Sequence, residues 1–400
     1  MTTPSAPATL LGDAQRLSPK LTAWRRHLHA HPELSFEEHE TQDYVRRQLA
    51  SLGCEDVRDI ATTGLYVDVV GTQPGRAPSR RVALRADLDA LPIQEVAGRA
   101  YGSTRAGVMH ACGHDVHTTC ALGAVALLRA RRDQFCGSVR VIFQPGEELL
   151  PGGATHVIEG GGLEGVERIV GLHVAPSLAV GTYGLREGRY MASTDELHLR
   201  MRGGGGHAAL AHRHTDLIAT FAQLVSASQQ VVSRKAPPDI PSVLSWGHVA
   251  TTGGATNVLA AELHALGTFR TYDDTWRLRA HETLRKIVAN SCAMFGADHE
   301  LEIRRGYPAL TNDVETTRAV SRALGALDPD VEIAALELRP TAEDFAWYLR
   351  EVPGCFFRLG VRNERRGITA GVHQADFDVD EACLPYGAAG LAASALALLG

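Results

Sequence analysis

The chain has 400 residues, of which 44% are hydrophobic and 22% charged, with a net charge of -6. That length exceeds one ordinary hydrophobic core and predicts two domains, and the composition is that of a globular protein. An acidic balance without a basic run argues against a nucleic-acid partner. No apolar stretch approaches the roughly 18 residues of a membrane span.

The N-terminal MTTPSAPATLLGDAQ lacks a basic segment followed by a long apolar one, so no secretory leader is expected. From Leu21, Trp24 and Leu28 to Tyr44, Val45 and Leu49, residues 17–53 read as two helices broken near Pro32. Strands are expected at 65–70 and 81–86, a helix at 114–131, a strand at 138–143, a helix at 154–159 and a strand at 168–173. This alternation predicts an α/β layer with a mostly parallel sheet. After Gly188 the pattern changes to strand 196–202, helix 214–234, strands 242–249 and 262–271, helix 274–295 and strand 299–305. That β-α-β-β-α-β order is ferredoxin-like. The α/β character then resumes. The expected organisation is a catalytic α/β domain in two parts, 1–187 and 306–400, interrupted by a smaller domain at 188–305. The seven cysteines, Cys54, Cys112, Cys120, Cys136, Cys292, Cys355 and Cys383, are odd in number and scattered, which predicts reduced thiols in a cytoplasmic protein.

The densest chemistry lies in Met109-His110-Ala111-Cys112-Gly113-His114-Asp115-Val116-His117. One thiol, three imidazoles and a carboxylate sit at a glycine turn entering a helix, and thiolate and imidazole suit borderline-soft divalent ions. The strand before it ends in Asp87-Leu88-Asp89, and the one after it in Gln144-Pro145-Gly146-Glu147-Glu148. A third strand ends at His173, and His373 lies in a late loop. Sites in open α/β sheets lie at the carboxyl ends of strands. Two adjacent carboxylates allow one to bind metal and the other to act as general base toward water. Acid, thiol and imidazole groups at four such points exceed the needs of one ion and suggest two. Two other readings stay open: a metal- or metabolite-binding protein without turnover, and nucleophilic chemistry at Cys112.

With these residues in place, the chain resembles the aminoacylase/carboxypeptidase family of two-metal peptidases, in its amidohydrolase branch of hippurate hydrolase-like aminoacylases and auxin-conjugate hydrolases. The resemblance runs nearly end to end. It starts at RRHLHAHPELSFEEHET (25–41) and continues through LRADLDALPIQE, MHACGHDVHT, FQPGEE, GLHV, MASTDE and GGHAA. It closes with GGATNV, GTFR, GYPALTND, AEDFA and VHQADFDVDE. Other branches carry a His-x-Asp where this chain has Asp87-Leu88-Asp89, and the Cys-Gly-His signature selects this branch.

The resemblance implies that Cys112, His114, Glu148, His173 and His373 hold two divalent ions (zinc, manganese, nickel or cobalt), that Glu147 is the general base and that Asp89 supports the site. It implies an inserted lid and dimerisation domain whose His207 reaches the active site of the partner subunit, in a homodimer or higher homo-oligomer. Asn257 and Arg270 match positions that face the substrate, although a strand-end salt bridge is an equal reading of Arg270. His110 and His117 match no ligand position and are expected to support or pack. His27, His29 and His31 are expected on a helix surface or at a subdomain contact. The implied reaction cleaves an N-acyl amino acid (acetyl, benzoyl or similar) to a carboxylate and a free amino acid, with dipeptidase or carboxypeptidase-type hydrolysis as the alternative. The chain departs from the family at Leu210-Ala211-His212, Asp216-Leu217-Ile218, Leu259-Ala260-Ala261 and His373-Gln374-Ala375-Asp376-Phe377, where prolines are usual.

Overall fold

The structure is a computed structural model and describes residues 9–74 and 80–400. The first eight residues, part of the stretch read as lacking a leader, lie outside the described residues. The chain forms two compact units. One runs to Gly188 and includes Thr311–Glu337 and Asp344–Gly400; the other comprises Arg189–Leu310 and Leu338–Glu343.

The first unit is built on an eight-stranded sheet. Its order is Val57–Ile60, Gly64–Val70, Ser138–Gln144, Arg81–Asp87, Arg168–Ala179, Gly354–Arg362, Thr182–Leu185, Glu332–Ala335. The strands Ser138–Gln144, Arg81–Asp87, Arg168–Ala179 and Gly354–Arg362 run parallel to their neighbours in that series, and antiparallel pairs flank them. Ser138–Gln144 is buried at every position, which is why it reads as a nearly continuous apolar run. The helices Ser18–Ala30, His114–Arg129 and Cys383–Leu399 share one core with these strands through Leu21, Trp24, Leu28, Val116, Leu122, Leu391 and Ala395. The first break falls as expected: one helix ends at Ala30 and the next starts at His39.

Three boundaries, in two elements, differ by three residues or more from the sequence reading. The strand expected to stop at His173 continues to Ala179, because Gly354–Arg362 pairs alongside it. The helix expected from 214 begins at Leu217, since the Asp216 carboxylate accepts hydrogen bonds from the Ile218 and Ala219 amides and so fixes the helix start. It ends at Ser228, with a π turn at Val231–Lys235 beyond it.

The second unit has the order strand, helix, strand, strand, helix, strand. Its antiparallel sheet runs Ser242–Thr251, Glu262–Thr271, Asp195–Arg202, Asp298–Arg305. Alternate residues of Asp195–Arg202 are buried. Leu197, Leu199 and Met201 face a core made with Leu217, Phe221 and Leu224 of one helix and Trp276, Leu284 and Val288 of the other. Among the described residues no helix is long and apolar enough to cross a membrane.

Candidate metal centre

The parallel register brings the chemistry to one end of the first unit's sheet. Asp87 pairs across from Gln144, and Arg85 from Gly171, two residues before His173. Beyond these ends the chain turns into Leu88-Asp89 and Pro145-Gly146-Glu147-Glu148. The turn before the helix at His114 needs glycine. Gly113 has φ 89°, and a Cβ there would sit 2.6 Å from Val174 Cγ2. Late in the chain His373, also at positive φ (64°), donates its backbone N–H to Ala111 O at 2.7 Å, which carries the loop back beside Cys112.

These elements assemble all of the residues assigned to the metals. Ligand atoms of Cys112, His114 and His173 lie within 4.8 Å of one another, as do those of Cys112, Glu148 and His373, and of His114, Glu147 and Glu148. Cys112 Sγ is 3.3 Å from His173 Nε2, and Glu148 Oε1 is 3.3 Å from His373 Nε2. His114 Nε2 is 4.0 Å from both Glu147 Oε2 and Glu148 Oε1. The cluster is buried except for Glu148, which is partly buried, and His373, whose side chain is 52% exposed.

Hydrogen bonds set the imidazoles for a cation. His114 Nδ1 donates to Asp89 Oδ1 at 3.1 Å, and His173 Nδ1 donates to Val174 O at 2.8 Å. Each bond leaves Nε2 facing the cluster, an arrangement typical of metal-binding histidines. His114 Nε2 and Glu148 Oε1 are buried with no hydrogen-bond partner. Such orphaned polar atoms are costly unless a ligand completes them. Burial opposes charge on His114, yet Asp87, Asp89 and Glu148 outweigh it and lift its pKa to about 10. Burial, then Glu148, Glu147 and Asp87, push the Cys112 thiol well above its ordinary range. Burial, then Arg358 and His117, keep His173 neutral. The field is that of a cation site: a thiol there ionises when a metal joins it. The donor set therefore fits divalent ions.

His117 is excluded as a ligand by its partners. Its Nε2 accepts from the Val174 amide at 2.9 Å and its Nδ1 donates to Asp87 Oδ1 at 2.6 Å, so both nitrogens are used. His110 is buried with both nitrogens unpartnered, and burial lowers its pKa to about 4. It belongs to no group of three donors among the described residues. Of the two readings of His29, the helix surface fails: it is fully buried, with Nδ1 2.8 Å from Asp115 Oδ2 and Nε2 3.2 Å from Glu95 Oε1. The Asp115 and Glu95 carboxylates draw the imidazole inside, and the fully buried Arg25 shares the same Asp115 oxygen at 2.9 Å.

Sequence reasoning gave no role to the layer beneath the donors. Arg85, fully buried, reaches Gln144 Oε1 at 2.8 Å, Asp87 Oδ2 at 2.5 Å and Asp344 Oδ1 at 2.6 Å. Gln144 Nε2 and the Ala154 amide donate to the other Asp344 oxygen at 2.7 and 3.0 Å. Asp89 Oδ2 accepts from Ser35 Oγ at 2.7 Å and from the Glu148 amide at 2.9 Å, which ties three segments to one carboxylate. The available signal was the charged and amide residues within otherwise apolar interior strands, Arg85 and Gln144.

The other three assigned residues belong to the second unit. His207 pairs opposite Val258, and the Ala208 amide donates to Asn257 O at 2.8 Å, so His207 and Asn257 stand side by side and exposed. Arg270 Nη1 donates to Pro340 O at 3.0 Å, and among the described residues no carboxylate pairs with it, against the salt-bridge reading.

Strand-end carboxylates, a thiol and imidazoles converging on one buried cluster define a metalloenzyme of the α/β class. Residues 83–397 match the model of peptidase family M20/M25/M40. An N-acyl-L-amino acid amidohydrolase of Geobacillus stearothermophilus is 41% identical over 290 residues, covering 72% of this chain and 77% of the relative. An N-acetyl-L-cysteine deacetylase of Bacillus subtilis is 38% identical, covering 92% and 85%. The crystal structure of a dinuclear metal-binding peptidase of family M20 from Bacillus subtilis superposes with a TM-score of 0.83 at 34% identity, covering 96% of this chain and 99% of that one. The chain belongs to peptidase family M20/M25/M40. It is a metal-dependent amidohydrolase with a donor set for two divalent ions.

Proposed function

We propose that the enzyme cleaves the amide bond of N-acyl amino acids, releasing a carboxylate and a free amino acid. The observation that carries this reading is the donor cluster itself, with the Glu147 carboxylate beside it and orphaned atoms on His114 and Glu148. Cys112, His114, Glu148, His173 and His373 would hold the ions, with Cys112 common to both sets of donors. The thiolate favours a borderline ion such as zinc, nickel or cobalt over manganese. When bound, two such ions supply Lewis-acid polarisation of the amide carbonyl and acidification of the attacking water.

Glu147 takes the proton of that water and later delivers it to the leaving amine. Asp89 keeps the proton of His114 on Nδ1 and steadies the Glu148 backbone, so both donors stay aimed at the cluster. The partner subunit's His207 donates to the developing oxyanion. What supports this is its tautomer: Nδ1 accepts from the Ala209 amide at 3.1 Å, which leaves the proton on an exposed Nε2. Asn257 beside it and the guanidinium of Arg270, which has no carboxylate partner among the described residues, suit the substrate's polar groups, Arg270 its carboxylate. The seven unpaired cysteines support a reducing, cytoplasmic location.

Dialysis against a chelator is expected to abolish amine release from a panel of N-acyl amino acids, and added zinc, nickel or cobalt to restore it. Full activity in metal-free protein would point to Cys112 acting as a nucleophile. Light scattering is expected to give a dimer, and His207→Ala to lower kcat by roughly 10²-fold, the usual cost of losing one oxyanion donor. A fully active monomer would sink the role across subunits.

A further inference from the structure

The segment Glu33-Leu34-Ser35-Phe36-Glu37-Glu38 takes no part in the chemistry above, yet it is fastened to both loops that carry the carboxylates. At its start the Ala90 amide donates to Glu33 O at 2.7 Å, and Ser35 Oγ donates to Asp89 Oδ2. At its end the Glu38 carboxylate is fully buried. One of its oxygens accepts from the Gly146 amide at 2.8 Å and the other takes the Thr63 hydroxyl hydrogen. Between these, Phe36 lays its ring over Gly146 so closely that a Cβ on that glycine would fall 2.4 Å from it. The segment is a strap from the Asp89 loop to the turn that presents Glu147.

A buried carboxylate is an expensive way to fill space. The Gly146 amide supplies the reason, because a turn amide pointing inward needs an acceptor and no backbone carbonyl is its partner. We propose that Glu38 is a positioning residue for Glu147: by holding the Gly146 amide it sets the turn, and with it the direction of the base. This rests on the reading of Glu147 as the base. The side chain acts over a single intervening residue, so a small rotation at Gly146 swings the Glu147 carboxylate as a whole.

The test compares Glu38→Asp, Glu38→Gln and Glu147→Gln with wild type, measuring kcat, KM and metal per subunit, together with amide hydrogen exchange of the peptide 144–149 in metal-free protein. Aspartate is one methylene too short to reach Gly146. It is expected to lower kcat about 10²-fold, the scale of a misplaced catalytic group, with KM and metal content unchanged and faster exchange in the peptide. Glutamine keeps an acceptor oxygen and is expected to restore kcat and slow exchange. An active Glu147→Gln enzyme would overturn the base assignment, whatever Glu38 does. An inactive Glu147→Gln enzyme beside a Glu38→Asp enzyme with wild-type kcat and exchange would overturn the positioning role. Should the aspartate variant fail to fold, the wild-type exchange decides: an unprotected Gly146 amide overturns the proposal.

Discussion

Glu147→Gln is expected to bind the same amount of metal as wild type and to lose roughly 10³-fold in kcat, within the range that general acid–base groups contribute. Glutamine keeps the volume and one carbonyl oxygen of the side chain, and Glu147 is only 7% exposed, so packing around the site is preserved. It cannot take a proton from water near neutral pH. Glu148, one residue on, cannot substitute: its amide is held by Asp89 and its Oε1 faces His373. Elemental analysis of the purified variant beside a turnover assay checks this, and wild-type-like rates at full metal content would remove Glu147 from the mechanism.

The second large effect is on stability. Arg85→Met is expected to cost about 3–5 kcal/mol, the usual penalty for leaving a buried charge without its partner. Arg85 is the shared cation of Asp87 and Asp344, all three without solvent exposure. Methionine fills much of the space but leaves the Asp87 and Asp344 carboxylates buried without the cation they share. Burial opposes the charge on Asp87, and His114, His117 and Arg85 together hold its pKa well below the ordinary range. The variant removes one of these three. Urea unfolding at matched metal content measures the loss, and a midpoint equal to wild type would show that the cluster contributes nothing net.

Much of the site was legible because its parts are local. Asp89 and Glu147 follow apolar strands, His173 lies within one, and an apolar strand in an α/β pattern announces which end carries the chemistry. Gly113 between Cys112 and His114 marks the turn that delivers both. The expected strands of the second unit were equally readable, since Asp195–Arg202 alternates buried and exposed residues with period two. The helix start at Leu217 was missed because the cap is the Asp216 side chain, whereas the apolar pattern alone suggested an earlier start.

Sequence by itself determined the inventory: which strand ends carry acids, where the thiol and imidazoles cluster, and that two carboxylates stand adjacent. The resemblance singled out His114, but residue type and spacing could not say why His110 and His117 are not free to bind, and only the tertiary structure gives the reason. Val174 and Asp87 consume both nitrogens of His117, while Asp89 consumes one of His114 and leaves the other. It could not join Glu38 to Gly146, 108 residues apart, or Arg85 to Asp344, 259 apart. The physical reason is the same in each case. Hydrophobic periodicity is a property of neighbours along the chain, whereas a buried polar group's role depends on which distant partner the packed sheet places within hydrogen-bond reach.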